Sequence, residues 1–464
     1  MMFRGDYQYI LDNREKRAHV IQRSLDSTGG TLVEVTLNIP GKEKDSLLYR
    51  AVHMEMLTRL LPVMKAHLVY LEYLPEGPFA LLNTALSPLW VKNIAVGLEE
   101  DTPEGRIFDI DVFHPDGTKV GRSGPLRSCY LCDDSASVCA RLQRHTQEQL
   151  QLNIHQRIQA SPYRTRINRL TETLSMDRYH AVPHSLASDR ASTISRLAQQ
   201  ALVQEVALTP KPGLVDGYDT GSHTDMDLQT FLCSATALGE TFFRLARASM
   251  AFEDSDLSAL LPVLRQIGID GEKAMFDATG GVNTHKGMIF SCGLITAAAS
   301  LNSQLDSLPN TIAHLCSHLV SHDLENLQVP MTYGEELFVT FHIRGIRGEA
   351  ETGFPSVFRM YRRFRLLCEH YDRRSSLLQV LMEIMSTLED TNILGRGGRD
   401  ALEWVQRQSS DYLSRGGVTE DQNMKCLYDL NEKFKERNLS PGGSADTLGC
   451  IIFLDLLVKE GLLH

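Results

Sequence analysis

The chain has 464 residues, 42% of them hydrophobic and 23% charged, with a formal net charge of −11 from 47 Lys and Arg against 58 Asp and Glu. That length suits two or three domains of about 100–200 residues with real apolar cores. The acidic balance argues against a nucleic-acid partner, although a local phosphate pocket stays compatible with it. The start MMFRGDYQYILDNREKR has no uninterrupted apolar run, so no secretory signal is expected. No stretch of about 18 apolar residues occurs, so no membrane span is expected. Nine cysteines, an odd number, fit a reduced cytoplasmic compartment.

In chain order, TLVEVTLNI at 31–39 alternates and is β-branched, which predicts a strand ending at the Pro40-Gly41 turn. A helix is expected over 47–61, with further strands at 68–74, 79–86 and 107–113. The first part is therefore α+β. From about residue 190, helical periodicity dominates: Leu377, Leu378, Leu381, Ile384, Met385 and Leu388 share one face, and 445–458 repeats the pattern. The second part is mostly α-helical. The boundary is expected within 175–190, giving domains 1–180 and 185–464. Arg362–Arg365 (RRFR) reads as a solvated helix face.

Four features of the first part carry chemistry. Asn38-Ile39-Pro40-Gly41 runs from a strand into a turn followed by Lys42 and Lys44, which is either a phosphate site or an ordinary turn. Asp109 and Asp111 alternate in a strand, so both carboxylates share a face. Such a pair either holds Mg²⁺ with substrate phosphates or lines a solvated surface. Arg106 beside them either clamps phosphate or sits in a surface ion pair. Cys129, Cys132, Cys139 and His145 either hold a structural Zn²⁺ or pack a loop as reduced thiols. The last feature, RLQRH at 141–145, reads as a polar helix face.

Leu11–Arg17, Asn38–Gly41, Gly105–Val112 and the run from Arg127 to His145 together resemble the apo-citrate lyase phosphoribosyl-dephospho-CoA transferases, over residues 1–175. The resemblance implies a nucleotidyltransferase module. A serine hydroxyl of the citrate lyase acyl carrier subunit would attack a phosphorus atom, and diphosphate would leave. Asp109 and Asp111 would then be catalytic Mg²⁺ ligands, with Asn38, Gly41 and Arg106 binding substrate.

Five Gly-rich, charged clusters punctuate the second part, at 209–227, 280–287, 344–356, 389–398 and 440–446. Loops at helix ends that converge on a cleft commonly carry function. Ser440 to Ser444 precedes a helix, whose free N–H groups either hold phosphate or are simply capped. Asp390 and Asn392 are expected to end a helix, with Arg396 in the Gly-rich turn that follows. Lys211, Lys286, Arg347 and Arg396 are candidate triphosphate contacts. His223, Asp225, His285, Glu349 and Glu351 are acid/base or Mg²⁺ candidates.

Read in order, these clusters resemble the triphosphoribosyl-dephospho-CoA synthases over about 190–464, with Thr447-Leu448-Gly449 as a small departure. The resemblance implies that ATP and 3′-dephospho-CoA are substrates. The 2′-hydroxyl of dephospho-CoA would attack C1′ of the ATP ribose, releasing adenine. It makes His285, Glu349, Glu351 and Asp390 catalytic candidates. Lys211, His223, Asp225, Lys286, Arg347, Asn392, Arg396, Gly442, Gly443, Ser444 and Asp446 would bind substrate. The product of the second module is the substrate of the first. Two alternatives are the equivalent prosthetic-group pathway of malonate decarboxylase and a zinc-stabilised, non-enzymatic scaffold for a carrier protein. His285, Glu349, Asp390 and Ser444 are expected around one cleft.

Overall fold

A computed structural model describes residues 17–26, 29–41, 44–74, 76–122, 127–132, 134–176, 190–325, 333–419 and 421–464. Leu11–Lys16, Lys42 and most of the expected boundary segment lie outside the described residues. The chain divides into two units, Met1–Ser175 and Met176–His464.

The first unit is built on a four-stranded antiparallel sheet in the order β2-β3-β1-β4. Its strands are β1 Thr31–Leu37, β2 His67–Leu74, β3 Gly77–Thr84 and β4 Phe108–Phe113. They overlap the four expected strands at 31–39, 68–74, 79–86 and 107–113 to within two residues at each end. Helix α1 covers 17–26. Helix α2, Leu47–Val63, packs on β1 to β3, and α3, Pro88–Glu100, packs on β4. In β4, Phe108, Ile110 and Val112 are buried while Asp109 and Asp111 face the opposite, half-exposed side. The register sets Thr36 opposite Asp109, Glu34 opposite Asp111 and Leu32 opposite Phe113. Leu25 of α1 packs with Leu32, Phe79, Leu81 and Phe113, so the apolar end of this face is covered and the acidic end is left open.

β4 is a sheet edge, and edges must satisfy their outward backbone groups. Here α3 does so. Buried Lys92 Nζ donates to Ile110 O at 2.7 Å, and buried Glu99 Oε1 accepts from Ile110 N at 3.0 Å. The unit ends with α4 Ala136–Arg141, α5 Gln147–Gln159 and α6 Arg164–Met176. The expected helix face at 141–145 is corrected: α4 stops at Arg141, and Gln143 takes a positive φ of 47°, which breaks the helix.

The second unit is helical throughout its described elements: α7 Arg190–Ala207, α8 Leu228–Ala237, α9 Gly239–Met250, α10 Leu261–Thr279, α11 Lys286–Leu301, α12 Leu308–Leu315, α13 Tyr333–Phe341, α14 Gly345–Glu351, α15 Pro355–Leu367, α16 Arg373–Met385, α17 Thr391–Ser414, α18 Asp421–Glu436 and α19 Gly442–Lys459. The faces predicted at 377–388 and 445–458 lie largely on α16 and within α19. Helices α11 and α19 are apolar nearly all round and therefore central. They pack on each other and on α7. Close approach requires small residues: a Cβ on Gly449 would lie 2.3 Å from Met288 Cε. Arg362 and Arg363 stand on the exposed side of α15, with Phe364 buried between them and Arg365. One expectation is corrected: Asp390 starts a helix rather than ending one. Its carboxylate caps α17, accepting from Asn392 N at 3.0 Å, and Arg396 lies inside α17 before the break at Gly398. No described helix is long and apolar enough to cross a membrane.

Candidate active sites

In the second unit, the N-termini of α11, α14, α17 and α19 open onto one cavity of about 770 Å³. All five loop clusters contribute to its lining. Lys211, His223, His285, Lys286, Glu349, Asp390, Asn392, Arg396, Gly442, Gly443 and Asp446 line it. Ser444 sits just behind, bonded to Asp390. Asp225, Arg347 and Glu351 do not line it. Arg347 turns instead to Asp323 and Glu335, at 3.5 and 3.3 Å, and Glu351 accepts from Val320 N at 3.2 Å. The structure does not bring these three expected site residues to the cavity wall. Arg347 and Glu351, four residues apart, share one face of this seven-residue helix, and Glu349 lies on the other, toward the cavity.

The floor of the cavity is acidic. Glu205, from α7, was not singled out by the sequence because nothing breaks the helical pattern around it. Its Oε1 meets Lys211 Nζ at 2.5 Å, and both side chains are almost wholly buried. Burial pushes the Glu205 carboxyl above its usual range, and Lys211 pulls it back. The Asp446 carboxyl is pushed well up by burial, then by the negative charges of Glu205 and Asp390. Glycine is required opposite it: a Cβ on Gly287 would lie 2.0 Å from Asp446 Oδ2.

Of the two readings of Ser440 to Ser444, the structure shows the capped one. Its donors are already used: Gly442 N bonds Ser440 O at 3.0 Å, Gly443 N bonds Asp390 Oδ1 at 3.3 Å, and Ser444 N and Oγ bond Asp390 Oδ2 at 2.8 and 2.9 Å. Asp390 thus caps α17 and the start of α19 together. A carboxylate there does what a bound phosphate would do. The glycines serve close approach, since a Cβ on Gly442 would lie 2.8 Å from Asn392 Nδ2. Glu349 is similarly a cap, accepting from Ser356 N at 3.1 Å and Oγ at 2.8 Å.

The candidate cations are mostly engaged. Lys286 pairs with Glu272 at 2.8 Å. Arg396 donates to Ser222 O at 3.1 Å and to Asn438 Oδ1 at 3.1 Å. His223, whose pKa is lowered by burial and then by Arg396, shares a 2.8 Å hydrogen bond with Ser440 Oγ and lies 3.4 Å from Asp225. Arg344 and Arg359, which the sequence did not mark, line the same cavity and are exposed, and their side chains have no hydrogen-bond or ion-pair partner among the described residues.

His285 is buried against Phe231, with Nδ1 2.7 Å from Ser234 Oγ and with Nε2 lacking a partner. Burial, then Lys211, lowers its pKa to about 3. The imidazole is neutral when folded and acquires a proton on unfolding below its ordinary value. Its contribution to stability is therefore complete above about pH 6.5 and is lost as pH falls from there toward 3. Denaturant titrations of the second unit should show stability declining by about 1.4 kcal/mol per pH unit from this residue. His285→Gln should flatten that slope. An unchanged slope would contradict the buried neutral imidazole.

In the first unit, Glu99, Glu100, Arg106, Phe108, Arg122, Arg127 and Ser128 surround a recess of about 180 Å³. Asp109 pairs with Arg127 at 2.9 Å, and Asp111 pairs with Lys119 at 2.6 Å. Glu99 bridges Arg122 and Arg127, each at 2.6 Å. Arg106 lies over the Tyr130 ring and donates to Ser128 O at 2.7 Å, while its buried Nε and Nη1 have no acceptor among the described residues. Asn38 O accepts from Tyr130 Oη at 2.8 Å. Gly41 has φ 95° and abuts Gln147 and Gln151, and neither Asn38 nor Gly41 borders the recess. Cys129, Cys132, Cys139 and His145 converge so that one ligand atom of each lies within 4.8 Å of the others.

Comparison with known proteins agrees with both units. Residues 191–463 match the family model of ATP:dephospho-CoA triphosphoribosyl transferase, and residues 6–161 match that of apo-citrate lyase phosphoribosyl-dephospho-CoA transferase. Protein CitXG of Leuconostoc mesenteroides subsp. cremoris is 34% identical over 97% of this chain and 96% of its own length. Protein CitXG of Haemophilus influenzae is 32% identical over 96% and 94%. The 2-(5''-triphosphoribosyl)-3'-dephosphocoenzyme-A synthase of Escherichia fergusonii is 38% identical over 58% of this chain and 92% of its own length. The chain therefore belongs to the ATP:dephospho-CoA triphosphoribosyl transferase family through its second unit, fused as in the CitXG proteins to an apo-citrate lyase phosphoribosyl-dephospho-CoA transferase unit.

Proposed function

We propose that this chain is a bifunctional transferase that makes and attaches the citrate lyase prosthetic group. Region 185–464 transfers the triphosphoribosyl group of ATP to 3′-dephospho-CoA, and region 1–180 transfers the product to a serine of the lyase's acyl carrier subunit. The single observation that supports the reading best is the one cavity on which five sequence-distant loops converge. The 2′-hydroxyl of dephospho-CoA attacks C1′, the bond from C1′ to the adenine nitrogen breaks, and adenine leaves with a proton. Asp446 has a strongly raised pKa and no cation directly on it, so it is suited to exchanging that proton. Positive charge developing on the ribose is stabilised by Glu205 and Asp390 nearby. Neutral His285 offers Nε2 as a hydrogen-bonding group.

Arg344 and Arg359 bind the triphosphate, because they are the lining cations with no protein partner to give up. Arg344→Ala or Arg359→Ala should raise KM for ATP about tenfold, with a smaller change in kcat. Unchanged KM in the double variant would move the triphosphate elsewhere in the cavity.

In the first unit, Asp109 and Asp111 are the residues that would hold Mg²⁺, which would neutralise phosphoryl charge. Two half-exposed carboxylates on one strand face fit that ion. Arg106, with unsatisfied guanidinium nitrogens, and Arg127 hold the diphosphate as it leaves. The match over 6–161 favours the citrate lyase branch over the malonate decarboxylase pathway.

A further inference from the structure

We propose that Cys129, Cys132, Cys139 and His145 bind one zinc ion that fixes the loop carrying Arg127, Ser128 and Tyr130. The sulfurs of Cys132 and Cys139 are 4.0 Å apart, and His145 Nε2 is 3.3 Å from Cys132 Sγ. Zinc bonds of about 2.3 Å to sulfur and 2.0 Å to nitrogen give tetrahedral edges of about 3.5–3.8 Å. The ligand atoms already stand near that spacing. A disulfide would need about 2.05 Å between sulfurs, and all three cysteines are free.

The backbone assembles this cluster. Ser128 bridges Ser135, Cys129 N bonds Asp134 O at 2.7 Å, and Ala136 N bonds Arg127 O at 2.9 Å, closing a tight hairpin around Cys129 and Cys132. Helix α4 supplies Cys139, and the turn through Gln143 returns His145. Three sulfurs and one imidazole complete a four-coordinate shell with no open position, the mark of a structural site. Thiolate-rich donors select zinc over hard cations such as Mg²⁺.

The braced loop reaches the phosphoryl-transfer recess directly. It carries Arg127, paired with Asp109 and Glu99, and Ser128, whose carbonyl takes Arg106. It also carries Tyr130, which bonds Asn38 O and lies under Arg106. A loop this short buries little apolar surface of its own, so a metal supplies its order.

The test measures metal content of the full-length chain, which is independent of whether the proposed reactions are correct. Protein purified with zinc in the medium and dialysed against buffer should retain about one zinc per chain, released on titration with an organomercurial. Cys132→Ser and Cys139→Ser should retain less than about a tenth of that, while His145→Cys should keep it. In the serine variants, transfer to the carrier protein should fall about tenfold or more with adenine release unchanged. Iron in place of zinc, a disulfide between Cys132 and Cys139, or full zinc retention by Cys139→Ser would each overturn the proposal.

Discussion

Replacement of Asp109 or Asp111 by alanine should lower transfer to the carrier protein by about 100-fold or more, while adenine is released at the wild-type rate. The size follows from the several kcal/mol that a bound divalent cation contributes to a phosphoryl transition state. The selectivity follows from the fold, since both residues belong to β4 of the first unit and none lines the cavity of the second. Each aspartate also faces a cation, Arg127 or Lys119. Removing Asp109 therefore frees Arg127 as well as a metal ligand. Arg127→Lys separates the two effects: it should reduce transfer while leaving the Mg²⁺ dependence in place. Wild-type transfer by both alanine variants with Mg²⁺ present would exclude the aspartates from the reaction.

The second large effect is expected at Lys211. Lys211→Met should destabilise the second unit by about 3–5 kcal/mol, because it leaves Glu205 buried without its cation. The side chains of Lys211 and Glu205 are 1% and 6% exposed, so solvent cannot take over the role of the ammonium. Asp446 lies beside Glu205, and its own raised pKa already reflects the negative charge of Glu205. A buried ion pair is weak evidence for net stability, and the double variant makes the distinction. Lys211→Met with Glu205→Leu should recover most of the loss, yet should not recover adenine release, because the Glu205 carboxylate is gone from the acidic floor. Denaturant midpoints measure the first outcome and an adenine assay the second. If Lys211→Met unfolds at the wild-type midpoint, the pair is not coupled as described.

Much of the architecture was legible because its signals are local. Alternation marked β1 and strand-like runs marked the other three strands, and the i, i+2 spacing set Asp109 and Asp111 on one face. Glycine and proline marked the loops that line the cavity, because helix termini and close approaches need them. What was not legible depends on partners distant in sequence. Glu205 lies mid-helix and gains significance only when α11 and α19 bury it. The donors at Gly443 and Ser444 look free until Asp390, more than fifty residues earlier, is seen to occupy them. Arg344 and Arg347 are three residues apart at the start of one helical turn. Only the positions of Asp323 and Glu335 reveal that Arg347 is neutralised and Arg344 is not. The cysteine spacing matched no standard finger, yet the hairpin and the turn after α4 bring Cys129, Cys132, Cys139 and His145 together.

The most direct measurement follows both leaving groups in one reaction of the full-length chain. With ATP and 3′-dephospho-CoA alone, free adenine should accumulate in step with consumption of dephospho-CoA, and no diphosphate should appear. Adding the apo form of the citrate lyase acyl carrier subunit should then release diphosphate in step with modification of its serine. Formation of ADP or AMP in place of adenine, or no adenine at all, would contradict the account.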